Sequence, residues 1–278
     1  MELKKGFVYL PKSAAHKPIA YLGVSAHEDD IEIMAYDGIL KGYYDPKASF
    51  AAVVTTDGAG SARSGEYKDY SDEMMKSVRV KEQEAAAELG HYERLFMLNY
   101  ASKEAKDPGN HDLIDDYKAI LQETKPTIVY THNPADKHPT HLAVVVKLIE
   151  AIRELPPDQR PQKVYGCEVW RDLDWMDDEQ KVAFDVSKNP QLASDILKVF
   201  RSQIVGGKAY DLASIGRRYS NATYAASHAV DAASMVSYAM DLTPLINNPK
   251  LSLIAFVEAQ IEVFAEEAKA GLKAAGAK

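Results

Sequence analysis

A histidine and three carboxylates occupy four consecutive positions, His27-Glu28-Asp29-Asp30, and two more histidines, His138 and His141, stand three residues apart much later in the chain. His27, Asp30 and His141 offer two nitrogens and one oxygen. That is the donor set of a catalytic zinc centre, in which three protein ligands leave a fourth position to water; another divalent ion would suit the same set. A bound ion of this kind lowers the pKa of water from about 15.7 towards about 7. Asp29 leaves the turn in a different direction from its neighbour Asp30, which makes it the candidate general base. His138 lies on the same helix face as His141. As an imidazolium it can stabilise a tetrahedral oxyanion and protonate a leaving amine. Each residue also has a plainer role. Asp29 and Asp30 are good helix caps, a lone HxxH is a weak signal, and His132 reads as structural. The coincidence of two such clusters at strand ends carries the site.

The elements follow from periodicity. The apolar run of about Pro18–Ala26 reads as a strand, with a helix from about Asp29 to Tyr44 behind it. Strands are expected at about 50–56, 94–100, 127–131, 163–170 and 181–186, and helices at about 71–89, 111–124, 139–155, 190–205 and 251–272. Ser71 is a helix cap and Gly90 a helix stop. Residues 1–17 read as a loose lead-in and 206–230 as irregular. Strand–helix alternation is the pattern of a Rossmann-like α/β fold, a mostly parallel sheet covered by helices on both faces. In such a sheet the ends of strands one and four lie on the same side, so the clusters can meet at the carboxyl ends where ligands bind. With no repeat or linker, a single domain is expected: a core of about 18–205 and a C-terminal extension of about 206–278 with helical additions.

Composition narrows the function. The chain has 278 residues and a net charge of −8, which argues against nucleic acid or an anionic membrane surface as partner. Its one cysteine, Cys167, lies in an apolar run, so neither an intramolecular disulfide nor a cysteine-rich zinc site can form. No secretory signal and no span of roughly 20 apolar residues is visible, so a cytoplasmic protein is expected. Asp57-Gly58-Ala59-Gly60 lacks the spacing of a dinucleotide loop. A homo-oligomer is compatible with all of this.

The motifs resemble those of the PIG-L (LmbE-like) family of zinc-dependent de-N-acetylases. The family's His-Pro-Asp-Asp stands here as His27-Glu28-Asp29-Asp30, and its His-Pro-Asp-His as His138-Pro139-Thr140-His141. The resemblance continues through Thr56-Asp57-Gly58, Arg79-Val80-Lys81-Glu82, Leu89-Gly90 and Phe184-Asp185-Val186-Ser187, over about residues 18 to 205. It implies a Rossmann-like fold and removal of an acetyl group from an N-acetylglucosamine-type sugar or glycoconjugate. By motif position it implies His27, Asp30 and His141 as metal ligands, Asp29 as base, His138 as electrostatic and acid partner, and Arg79 and Asp57 as substrate contacts. Glu28 replaces a proline that stiffens the turn. Thr140 replaces an aspartate that would orient His138, and its loss lowers the expected pKa of that histidine; Asp136 stands where it can compensate. The walls are expected from loops 61–70 and 102–110 and from 206–228, with Tyr67, Tyr70, Tyr219 and Tyr224 as sugar platforms and His228 approaching from the C-terminal side. Competing readings are hydrolysis of another amide or an ester at the same metal, and a non-catalytic sugar-binding descendant.

Overall fold

The computed structural model describes residues 1–205 and 207–277. Its strands are β1 (Phe7–Tyr9), β2 (Ile19–Ser25), β3 (Ser49–Thr56), β4 (Arg94–Tyr100), β5 (Ile128–His132), β6 (Lys163–Cys167), β7 (Lys181–Asp185) and β8 (Val236–Asp241). Its helices are α1 (Asp30–Met34), α2 (Tyr36–Tyr44), α3 (Asp72–Leu89), α4 (Ser102–Lys106), α5 (Asp112–Thr124), α6 (Pro139–Glu154), α7 (Pro190–Lys198), α8 (Arg201–Val205), α9 (Tyr210–Thr223), α10 (Thr243–Asn247) and α11 (Leu253–Ala274).

The strands form one sheet in the order β1-β4-β3-β2-β5-β6-β8-β7. The five central strands, β4 to β6 in that order, run parallel; β1 and β8 join antiparallel. The chain winds from β2 outward through β3 and β4, then returns to β5 on the other side of β2. That reversal is a topological switch point, and it leaves a crevice beyond the carboxyl ends of β2 and β5.

Side chains on the central strands alternate between two buried faces. Leu22, Val24, Ala51 and Val53 pack with Leu113, Val145 and Leu148 on one face. Phe50, Ala52 and Val54 pack with Ile31 and Ile39 on the other. Gly23 sets the distance between α1 and the sheet, since a Cβ there would lie 2.8 Å from Ile31 Cδ1 and 2.9 Å from Phe50 Cζ.

The parallel α/β architecture is the expected one, and Ser71 and Gly90 bound α3 as anticipated. Several local expectations are corrected. The lead-in contains β1, an edge strand on β4. The helix after β2 breaks at Ala35, whose φ and ψ are −108° and 23°. Carbonyls freed near that break, those of Glu32 and Ile33, accept the buried guanidinium of Arg218 at 2.7 and 3.1 Å. Loop 102–110 contains α4, and the 190–205 helix divides into α7 and α8. The irregular stretch contains α9, while its first residue, Gly206, lies outside the described residues. The strand β8 was not anticipated. It slots between β6 and β7, so β6 ends at Cys167 and frees Val169 and Trp170 for the crevice. No described helix is long and apolar enough to cross a membrane.

Candidate metal and catalytic site

Four side chains converge where β2 and β5 end. His27 follows β2, Asp30 opens α1, His138 sits at the N-cap of α6 and His141 is its third residue. His27 Nδ1 is 3.1 Å from Asp30 Oδ2 and 3.2 Å from His141 Nε2, and His141 Nε2 is 3.3 Å from Asp30 Oδ2. Atoms at the corners of such a triangle all lie about 2 Å from a common point just above its plane, the distance at which zinc holds nitrogen and oxygen. Two ring nitrogens 3.2 Å apart also need a proton or a cation between them. The residues therefore fit a divalent ion without moving.

Two further histidines are close. His27, His138 and His141 form one triplet with donor atoms within 4.8 Å, and Asp30, His132 and His141 form another. His132 Nε2 accepts the Ala26 amide at 2.8 Å, and its ring stacks on His141 at 3.8 Å between centroids. His138 faces the same cavity as His27 and Asp30. Its ring lies 4.8 Å from that of His27, beside the triangle rather than within it.

Charge is finely divided here. Burial alone would raise the Asp30 carboxyl, but His141 and His132 hold it well below the usual carboxylate range. Burial opposes charge on His141 too, yet Asp30 and Asp136 raise it to about 9 in the metal-free protein. Asp136 Oδ2 stands 3.5 Å from His141 Nδ1, while Asp136 Oδ1 accepts the backbone N–H of His138 at 3.0 Å. The suggested compensation for Thr140 is thus corrected. Asp136 pairs by charge with the candidate ligand His141, and neither His141 Nδ1 nor His138 Nδ1 has a hydrogen-bond partner. Burial, His27 and His141 push His138 down to about 4, so it is neutral at pH 7.

Asp29 stands at the N-cap of α1 but its side chain makes no capping hydrogen bond, because its carboxylate is held elsewhere. Its φ of +86° is left-handed, an uncommon conformation for a residue with a side chain. Arg79, 2% exposed, donates from Nη2 to Asp29 Oδ2 at 2.7 Å and to the Glu28 carbonyl, and from Nη1 to Glu82 Oε2 at 3.0 Å. Burial pushes the Asp29 carboxyl up to about 6 and Arg79 opposes the rise. Glu28 turns inward; its Oε2 is 3.7 Å from Arg79 Nε, and neither oxygen has a hydrogen-bond partner. Gly58 makes room for this clamp: at φ +70° a Cβ would lie 2.8 Å from Glu28 Oε1 and 2.9 Å from the Arg79 side chain.

Behind the site Glu32 is wholly buried. Its Oε1 accepts Tyr92 Oη at 2.7 Å and Gln83 Nε2 at 2.8 Å, and burial pushes its carboxyl up to about 7. The folded value lies above the unfolded one, about 4.3. The stability linked to Glu32 is therefore fully present below about pH 4.3 and is lost as pH rises through about 7, by roughly 4 kcal/mol at most. Glu32→Gln should flatten the decline in Tm between pH 5 and 8. An unaltered decline in thermal melts across that range would show that Glu32 titrates normally.

The cavity over the triangle has a volume of about 310 Å³, at the small end for ligand sites. Its lining includes His27, Asp29, Asp30, Arg79, His138, Ser102, Lys106, Trp170, Gln203 and Tyr210. Asp57 turns away; its carboxylate pairs with Lys76 at 3.1 Å beside a different surface hollow. His228 and Tyr224 are exposed and Tyr67 is packed in, and none of these three, nor Tyr70 or Tyr219, lines the cavity. The aromatic wall is instead Trp170 and Tyr210, whose rings meet edge-on at 5.9 Å. With β6 ending at Cys167, Trp170 lies beyond a strand's carboxyl end, where the rule for parallel sheets places ligand contacts. Tyr210 carried no sequence signal of its own.

A family model described as PIG-L: GlcNAc-PI de-N-acetylase matches residues 22–152. That stretch belongs to the PIG-L family. The PIG-L segment carries the donor triangle together with Asp29, Arg79 and His138; Trp170, Gln203 and Tyr210 lie beyond it. No curated protein sequence matches the chain. Among solved structures, an N,N'-diacetylchitobiose deacetylase from Pyrococcus horikoshii, complexed with its inhibitor, aligns with a TM-score of 0.64 at 18% identity, covering 82% of this chain and 85% of that one. The 4-carboxy-2-hydroxymuconate hydratase GalB from Pseudomonas putida KT2440 aligns at 0.60 and 16%, covering 85% and 98%. A deacetylase from the teicoplanin biosynthesis pathway aligns at 0.56 and 15%, covering 80% and 96%. Likeness at this identity establishes the scaffold alone, and one scaffold here hosts hydratase and deacetylase.

Proposed function

We propose that this protein is a metal-dependent hydrolase that removes an acetyl group from an N-acetylglucosamine-type sugar or conjugate. The observation that carries it is the 3.1–3.3 Å triangle of His27, Asp30 and His141 beside the ionisable carboxylate of Asp29. The PIG-L match supports the substrate class. His27, Asp30 and His141 would hold the ion, zinc or another divalent metal, whose chemistry is to acidify water at its open position and to polarise the amide carbonyl.

The remaining work falls to the chain. Arg79 fixes one oxygen of Asp29, so the carboxylate is aimed rather than free to rotate. At pH 7 Asp29 is mostly ionised, since its carboxyl is pushed up only to about 6 in the metal-free protein and a bound cation would hold it lower, so it is ready to accept a proton. Asp29 takes a proton from water as the C–O bond forms, then passes it to the nitrogen as the C–N bond breaks. Acetate and a free amine leave. His138 enters neutral, so it polarises the carbonyl oxygen through its one N–H and is not a preformed acid. Trp170 and Tyr210 supply the faces against which a sugar ring stacks. The test is metal analysis of purified protein followed by acetate release from N-acetylglucosamine and its β-linked dimer. A metal-loaded protein that binds these sugars and releases no acetate would sink the reading.

We further infer that the single domain assembles with itself. The 22-residue α11 has no buried residue, and Ile254, Ile261 and Leu272 are 73, 49 and 62% exposed along one stripe. A helix so little covered needs packing to persist. Antiparallel pairing with a second copy sets Glu258 beside Lys273 and Glu262 beside Lys269, so charge favours that occupant. Sedimentation should show a dimer or larger, and Ile261→Glu should reduce it to a monomer. A wild-type monomer at tens of micromolar would rule the pairing out.

A further inference from the structure

The cavity over the donor triangle has a side cleft. Asp29, Asp30, Trp170 and Tyr210 border both spaces, so the cleft opens within reach of the reacting centre. Ile33 of α1, Val169 and Ala213 of α9 complete its apolar lining, and its volume is about 130 Å³. At about 30 Å³ for each water-sized group, that is room for several atoms beyond the methyl of an acetyl group.

The chemistry of the lining selects what enters. Away from the shared mouth its one charged side chain is Arg217, which donates from Nη1 to the Val169 carbonyl at 2.6 Å. Ser214 is the one hydroxyl there. A sugar ring would leave most of its hydroxyls without partners against such walls, a cost that a hydrocarbon chain avoids. Everything that forms the cleft except Asp29, Asp30 and Ile33 lies beyond the segment matched to the PIG-L family, so the cleft belongs to this chain's own C-terminal half.

We infer that the cleft seats the acyl side of the scissile amide, and that the group this protein prefers to cleave is a linear aliphatic chain longer than acetyl, of butanoyl to hexanoyl size. This rests on the hydrolase reading above. The step balances as before: water adds to the amide carbonyl, the C–N bond breaks, and a short-chain carboxylate and a free amine leave. The amine-bearing sugar occupies the larger cavity, which Lys106 and Gln203 also line, and the acyl chain enters at Asp29 and Asp30 and runs along Ile33 and Val169 towards Ala213.

The experiment has a binding arm and a turnover arm. Zinc-loaded full-length protein is titrated with acetate, butanoate and hexanoate by calorimetry. Each buried methylene strengthens binding about fourfold, so hexanoate should bind at least tenfold tighter than acetate. Ala213→Phe, which fills the outer cleft, should pull that ratio towards one; Ala213→Leu is the milder alternative should the phenylalanine variant not fold. In turnover, kcat/KM should rise from N-acetyl- through N-butanoyl- to N-hexanoyl-glucosamine. Equal affinity for acetate and hexanoate overturns the inference. So does a kcat/KM that falls along the series, and that outcome leaves the hydrolase reading standing. A clear chain-length preference in binding with no turnover of any N-acyl sugar supports the cleft and sinks the reading of the sugar amide.

Discussion

Asp29→Asn should keep its metal and lose most of its turnover, with kcat down roughly 10²- to 10⁴-fold, the range general acid–base catalysis supplies. The substitution keeps the shape of the side chain, and the amide oxygen can still accept from Arg79, which now donates to Asp29 Oδ2 at 2.7 Å. What disappears is the ability to take a proton. Because the donor triangle does not include Asp29, metal content and KM should stay close to wild type. A change confined to kcat is the signature of a group that acts in the transition state. The same carboxylate sets the acid limb of the pH profile. Below its pKa it is protonated and cannot accept, so kcat/KM should fall as pH drops through that value. The value is about 6 in the metal-free protein and lower beside a bound cation. Asparagine should abolish the limb that Asp29 imposes. Wild-type turnover in this variant would remove Asp29 from the mechanism, and a loss of metal would make it a structural support of the ligands.

The parts of the site that sequence exposes are those fixed by the sheet. His27 and Asp30 lie two and five residues beyond β2, His138 and His141 six and nine beyond β5, and parallel pairing of β2 with β5 carries those ends to the same edge. Two rules, apolar period and strand direction, are enough to bring them together. What escapes is whatever depends on a later segment folding back. The stretch Val236–Asp241 has a single β-branched residue, Val236, and hides as a strand, though Val236, Tyr238 and Met240 alternate into the core. Without β8 the apolar run 163–170 reads as one strand, which hides Trp170, the tryptophan that walls the cavity, inside the sheet. Tyr210 is placed by α9, in a stretch where polar and small residues dilute the helical period. The partner of Asp136 was equally hidden, since a carboxylate two residues before one histidine and five before another can reach either ring. Arg79 reads as a solvated helix arginine by spacing alone. Its burial follows from Gly58, whose missing side chain opens the space beside it.

Removing the metal, or the ligand His141, should silence the protein by two routes that can be told apart. Chelation should abolish turnover and lower Tm, because an ion that binds the folded state alone adds RT ln(1 + [L]/Kd), about 4 kcal/mol at a thousandfold excess over Kd; returning zinc should restore both. His141→Ala should abolish turnover and stay silent when zinc is returned. It should also be less stable before any chelator is added. The wild-type ring is wholly buried, stacks on His132 at 3.8 Å, and stands between Asp30 at 3.3 Å and Asp136 at 3.5 Å. Deleting it leaves two buried carboxylates without their cation, and breaking a buried pair in this way costs about 3–5 kcal/mol. The decisive comparison is the chelator's effect on Tm in the two proteins. It should be several degrees in wild type and near zero in His141→Ala, since a site that no longer holds the ion has nothing to lose. A His141→Ala variant that still bound one zinc per chain and still melted lower on chelation would put the ion elsewhere, with His138 the next candidate through its triplet with His27.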